Sequence, residues 1–204
     1  KKLVLEGKLR QQKSSTLVPE QGQIELPTGW EAASLADVLA LVTDGDHQPP
    51  PKAVDGVPFL VIGNLSGGGI KFDGCRNVAL DYFDGLDWGR KPREGDILYT
   101  VTGSFGIPIA VDTNRQFCVQ RHVAILKVTE SSPTDYLMVV LGSQSAKQYA
   151  SSIATGIAQK TVPLTGLRQL FVPLPPLAEQ HRIVAKVDEL MALCDRLEAR
   201  QADA

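Results

Sequence analysis

Apolar residues fall in short, nearly unbroken runs through the middle of this chain and at helical spacing towards its end. Val57-Pro58-Phe59-Leu60-Val61-Ile62, Asp96-Ile97-Leu98-Tyr99-Thr100-Val101 and Val123-Ala124-Ile125-Leu126-Lys127-Val128 have the length and branching of buried strands. The first is closed by Gly63-Asn64, and the Gly67-Gly68-Gly69 turn predicts that Ile70-Lys71-Phe72 returns as a hairpin arm. Gly103-Ser104-Phe105-Gly106 turns the second run into Ile107–Val111, and Leu170–Pro173 predicts a last strand. Ser34-Leu35-Ala36-Asp37 has the form of a capping box and predicts a short helix through Val38, Leu39 and Val42. The proline-rich loop Thr43–Pro51 stops it, and a second helical region is expected from Thr134 to about Ile153.

The longest periodic stretch follows Leu174-Pro175-Pro176, with Pro176 placed as the first residue of a helix reaching about Arg200. Ile183, Val187, Leu190, Cys194 and Leu197 are spaced 4, 3, 4 and 3 apart, which is a heptad seam for a partner helix. Val184, Met191 and Leu193 widen it. The seam lasts two heptads, so a terminal helix lying back on its own domain stays open as the alternative. At the other end, residues 1–12 resemble the last turns of a helix ending near Gly7, and 13–28 form a linker. The expected organisation is a helix end and linker in 1–25, a globular domain in 26–173 opened by Trp30, and a spacer helix in 174–204. Strands dominate the middle and helices flank them, so the class is α+β with a mixed or antiparallel β core.

Composition narrows the picture. With 43% hydrophobic and 22% charged residues, the 204-residue chain can build a substantial core. It has no apolar run long enough for a membrane helix. Its first residue is Lys1, so the chain is expected to begin inside a longer protein. Three scattered cysteines, Cys75, Cys118 and Cys194, fit a reduced cytoplasmic protein with free thiols. Net charge is −2, but its distribution is uneven. Residues 115–168 hold Arg115, Arg121, Lys127, Lys147, Lys160 and Arg168 against only Glu130 and Asp135, and Arg90-Lys91-Pro92-Arg93 is a second cluster. Such sorting fits a basic face, with a solvated surface as the plain alternative.

Catalytic patterns are missing. There is no phosphate loop of the G-x-x-x-x-G-K-[ST] type, and Thr102 replaces the first glycine of a nucleophile elbow at Gly103-Ser104-Phe105-Gly106. His47, His122 and His181 are far apart and form no metal-ligand pattern. Asp44 with Asp46, and Asp84 with Asp87, are expected as turn residues.

Several motifs in order resemble the target recognition domain of type I restriction-modification specificity subunits. They are Leu26-Pro27-x-Gly29-Trp30, Gly95-Asp96-Ile97-Leu98 leading to Gly103-Ser104-x-Gly106, and His122-Val123-Ala124. Thr155-Gly156-Ile157-Ala158-Gln159 and Leu174-Pro175-Pro176-Leu177-Ala178-Glu179-Gln180 complete the set. The resemblance implies a non-catalytic subunit with two such domains, each reading half of a split site on double-stranded DNA, separated by two helices paired antiparallel. It implies docking of methyltransferase subunits and, through them, motor-nuclease subunits. S-adenosylmethionine, ATP and Mg²⁺ would be held by those partners, with no cofactor or metal on this chain. The chain then corresponds to the second half of a full subunit, or to a half-size subunit that pairs with a copy of itself. A helix from Leu177 to Arg200 is about 36 Å long, close to the separation of half-sites one DNA turn apart.

On that reading three surfaces are candidates for DNA contact. The first is the loop Asp44–Lys52, where His47 and Gln48 offer hydrogen bonds to bases and Lys52 a phosphate contact. The second joins Ser104 and Phe105 with Arg121, if the fold brings them together. The third is Arg90 and Lys91 with Arg93. Structural roles compete with each: Thr155–Gln159 reads more simply as a structural corner, and His122 equally as a core group. Other classes stay open as an α+β small-molecule enzyme, a helical scaffold without DNA affinity, or the recognition subunit of a related bipartite-site methyltransferase-nuclease.

Overall fold

The computed structural model describes residues 25–48, 50–65, 67–129 and 133–202. The expected helix end in residues 1–12 and most of the linker after it lie outside them. Its centre is a four-stranded antiparallel sheet with the order β2-β8-β5-β6, formed by Leu39–Asp44 (β2), Ile97–Thr100 (β5), Pro108–Ala110 (β6) and Val123–Val128 (β8). β5 and β8 are covered on both faces, which is why they read as continuous apolar runs. On one face Ile97, Tyr99, Ala124 and Leu126 pack with Leu35, Leu137 and Leu141 in the main core. On the other, Leu98, Val123 and Ile125 pack with Leu60, Ile109 and Phe117.

The helical layer contains α1 (Leu35–Val38), α3 (Thr134–Gly142), α4 (Gln144–Ile153) and α5 (Leu164–Leu167), closed by the ribbon of β1 (Glu31–Ser34) and β9 (Phe171–Leu174). The opposite layer is a three-stranded sheet, β4-β3-β7, of Arg76–Val78 (β4), Val57–Leu60 (β3) and Cys118–Val119 (β7). There β3 runs parallel to β7. A short helix, α2 (Leu80–Gly85), lies beside it, with Phe83 buried against Phe59 and Val78.

Several local expectations need correction. The capping box at Ser34 forms, with the Ser34 amide donating to Asp37 Oδ2 at 2.9 Å, but its helix ends at Val38. Leu39–Asp44 is instead strand β2: Val42 and Thr43 favour extended backbone, and the edge of β8 supplies an antiparallel ladder with one register shift between Leu39 and Leu41. Ile70-Lys71-Phe72 is not a strand; the arm that returns to β3 is Arg76–Val78, where Val57 faces Val78. The expected helix from Thr134 breaks at Gly142, and the Ser143 side chain caps α4 by accepting from the Ala146 amide.

The last helix, α6, runs Leu177–Ala202, 26 residues or about 39 Å. Pro176 precedes it, its carbonyl accepting from the amides of Glu179 and Gln180. Only the first turns touch the globular part: Gln180 is buried, and Ile183 lines an apolar cavity of about 430 Å³ with Trp30, Tyr136, Val140 and Tyr149. Beyond Val187 every described side chain is exposed, including Leu190, Met191, Leu193 and Leu197. The helix therefore does not lie flat on its own domain. No helix among the described residues is long and apolar enough to cross a membrane.

Candidate nucleic-acid interface

Antiparallel pairing sends four chain segments to one end of the central sheet. β2 finishes there opposite the start of β8, and β5 finishes opposite Val123 before turning into β6. The loop after β2 is stitched to the turn before β8: the Arg121 amide donates to the Asp46 carbonyl at 2.9 Å, and the Gly45 amide to the Val123 carbonyl at 3.3 Å. The turn after β5 joins the same surface, because the Val101 amide donates to the His122 carbonyl at 3.0 Å. Loop 44–48, the Ser104 turn and Arg121 are thus neighbours, which residue order alone left conditional.

Gly45 is required by this stitching. A Cβ on it would lie 1.9 Å from the Val119 carbonyl oxygen, so only glycine allows the loop so close to β7. His47 and Gln48 are exposed, with His47 Nε2 3.1 Å from Asp44 Oδ2, and Lys52 is exposed farther along the loop. Ser104 is exposed, whereas Phe105 turns inward and packs against the main core, anchoring the turn rather than reaching from it. The Thr100 hydroxyl fixes the same turn by donating to the Ser104 carbonyl at 2.9 Å.

Arg121 is exposed, its Nε donating to His122 Nε2 at 3.4 Å. Partial burial and the neighbouring Arg121 guanidinium both push His122 below the usual imidazole pKa, so it accepts as a neutral ring.

The basic cluster at 90–93 is divided by the fold. Arg90 reaches the sheet end just described and pairs with Asp46, Nη1 to Oδ1 at 3.1 Å. Lys91 and Arg93 face away and line a cavity of about 410 Å³ with Asp84, Glu94 and Arg115. Lys91 donates to the Asp84 carbonyl at 2.9 Å, and Arg93 lies over the Trp88 ring.

The basic bias of residues 115–168 does not make one face either. Lys127 is buried: its ammonium donates to the Asp96 carboxylate and, at 2.9 Å, to the Lys91 carbonyl, with the Trp88 ring 4.9 Å away. Burial lowers its pKa, opposed by Asp96. Arg168 is half-buried and donates to the Val42 carbonyl. Arg121, Lys147 and Lys160 remain exposed, and the Lys147 stem lies beside Gly106. Lys147, Gln159 and Lys160 also belong to this sheet end; the basic bias includes the two lysines and a motif includes Gln159, but residue order does not show that they project beside loop 44–48. Among the described residues, no group of three or more His, Cys, Asp and Glu is placed to hold a metal ion.

Comparison with known proteins bears on the family and the fold. A family profile described as the type I restriction modification DNA specificity domain matches residues 27–204. The chain is 26% identical over 181 residues to the type I restriction enzyme EcoBI specificity subunit of Escherichia coli, covering 86% of this chain and 38% of that protein. It is 28% identical to the EcoEI specificity subunit of the same organism, covering 96% of this chain and 34% of that protein. The chain therefore spans little more than a third of these relatives. Among solved structures, the HsdS subunit from Thermoanaerobacter tengcongensis shares the fold, with a TM-score of 0.66 and 23% identity over 90% of this chain and 42% of that one. A chain from a study of complex assembly and conformational transition of the type I R-M system gives a TM-score of 0.69 at 23% identity, covering 91% of this chain and 44% of that one.

Proposed function

This chain belongs to the type I restriction modification DNA specificity domain family, and we propose that it supplies one target recognition domain of a specificity subunit. In this reading the end of the central sheet bearing loop 44–52, Ser104 and Arg121 reads one half of a bipartite site on double-stranded DNA. Base edges meet His47, Gln48 and Ser104, and phosphates meet Lys52 and Arg121. Lys91 and Arg93, on the other side, contact flanking backbone only where the duplex extends past this end.

The second half of the reading concerns α6. Its seam of half-buried Ile183 and Val187 and exposed Leu190, Cys194 and Leu197 packs antiparallel against an equivalent helix, in the same full-length chain or in a second copy. The rod then fixes the distance between two readers. The methyltransferase subunits dock on the assembly and bring the motor-nuclease subunits with them. S-adenosylmethionine, ATP and Mg²⁺ act on those partners, and this chain performs no reaction itself.

The observation that carries the proposal is the convergence on one sheet end, held by the Arg121-to-Asp46 and Val101-to-His122 hydrogen bonds. Polar tips on a rigid β core are what base reading needs. The test is co-expression of the full-length protein with its methyltransferase and mapping of methylated bases, followed by titration of binding to that duplex against salt. Affinity falling steeply with salt supports the reading. Dimerisation retained with no DNA affinity at any salt replaces it with a scaffold.

A further inference from the structure

The segment Thr155–Thr161 closes on itself as a small hairpin. The Thr155 and Thr161 amides donate to each other's carbonyls at 2.9 and 2.7 Å. Gly156 holds a φ of +109°, and a Cβ there would lie 2.3 Å from the Gln159 carbonyl oxygen, so the tip is folded tightly and only glycine fits. The hairpin is fixed to the turn after β5: the Gly103 amide donates to the Lys160 carbonyl at 3.1 Å, and the Thr102 and Thr161 hydroxyls are 3.3 Å apart. Its base is thus part of the sheet end assigned to DNA.

Its tip is unlike the rest of that surface. Ile157 is 107% exposed, as open as a side chain can be, with exposed Ala158, Gln159 and Lys160 beside it. The tight hairpin leaves little backbone entropy to lose when the aliphatic side chain on it is covered, which favours a binding contact. On the same sheet end, Arg121, Lys147 and Lys160 have no carboxylate within ion-pair distance among the described residues. An aliphatic tip on a surface that also carries unpaired cations suits a polyanion that offers an apolar edge as well. Duplex DNA does so through its phosphates together with its thymine methyls and sugars.

We infer that the Thr155–Thr161 hairpin is a second DNA-contacting element, with Ile157 packed into a groove and Lys160 on a phosphate. The inference rests on the reading above and extends it to a segment whose sequence reads more simply as a structural corner than as a reader.

The experiment uses the full-length subunit with its methyltransferase and a short duplex carrying the site mapped by methylation. Ile157→Ser is expected to weaken binding about tenfold. Lys160→Gln is expected to lower the slope of log affinity against log salt by about one. Both side chains are exposed, so thermal unfolding stays where it is in the unaltered protein. Wild-type affinity retained by Ile157→Ser overturns the inference, whatever Lys160→Gln does, and so does loss of methyltransferase co-purification with DNA affinity intact. If the unaltered protein does not prefer the mapped duplex to a scrambled one, the parent reading fails instead.

Discussion

Arg90 and Asp46, 44 residues apart, meet through Nη1 and Oδ1 at 3.1 Å and join the loop after β2 to the turn Trp88–Arg90. Asp46 also pins that loop to Arg121 through its backbone, so one residue connects three parts of the candidate interface.

If Arg90 positions the loop rather than only carrying charge, Arg90→Met and Asp46→Asn act on the same step. Each costs about 0.5–1 kcal/mol in stability, as expected for a partly exposed ion pair. Their effects on affinity for the mapped duplex are non-additive, and a double-mutant cycle measures the coupling. Strict additivity would leave Arg90 as an independent contact.

Gly45→Ala tests the loop from the opposite direction. The new methyl meets the Val119 carbonyl, a backbone atom that cannot move without β7. A loss of about 1–3 kcal/mol in urea denaturation is expected, with weaker DNA binding because the loop is displaced.

The Lys127–Asp96 pair is buried, so removing one partner leaves an uncompensated group. Asp96→Asn or Lys127→Met alone should cost about 3–5 kcal/mol. Replacing both with apolar residues of similar volume should cost less than either. Denaturant midpoints of the four proteins decide it, and equal losses in single and double variants would refute the pairing argument.

Two buried groups, Tyr99 and Cys118, have the largest upward shifts behind a loss of stability at alkaline pH, with Tyr136 and Tyr149 shifted the same way by burial. Burial pushes Tyr99 from its usual 10.0 to about 12 and Cys118 from 9.0 to about 12, the thiol helped by Asp46 and opposed by Arg76. Both stay protonated longer when folded, so the unfolded chain loses its protons first. The stability they contribute is present below pH 9 and declines towards pH 12, by about 1.4 kcal/mol per pH unit for each group. Tyr99→Phe should flatten the profile above pH 10 while leaving the decline that begins at pH 9.

The exposed seam of α6 predicts a separation of assembly from folding. Leu190 and Leu197 are 48% and 54% exposed, so changing both to Lys should leave thermal unfolding of the globular part unaltered. Helix pairing in the full-length protein should be lost, read out by analytical ultracentrifugation and by methyltransferase co-purification. Assembly that survives the double substitution would remove the seam from the interface.

Much of this protein is written locally. The double-sided burial of Ile97–Thr100 and Val123–Val128, the Ser34 capping box and the heptad spacing of α6 depend on neighbours within a turn or a strand, and residue order displays them. The ordered motifs that carry the family resemblance are likewise a property of residue order. Other features depend on which distant segments meet. Leu39–Asp44 carries a helix-like pattern, yet the free edge of β8 makes it a strand. Arg76–Val78 and Cys118–Val119 are too short to announce themselves and exist through β3. Lys127 looks like part of a basic face until Asp96 and Trp88 enclose it. Arg90 parts from Lys91 and Arg93 because the turn carrying it runs along β2. Periodicity and caps are properties of a chain segment, whereas the partner of a strand edge or of a buried charge is settled only when remote residues compete for the same place.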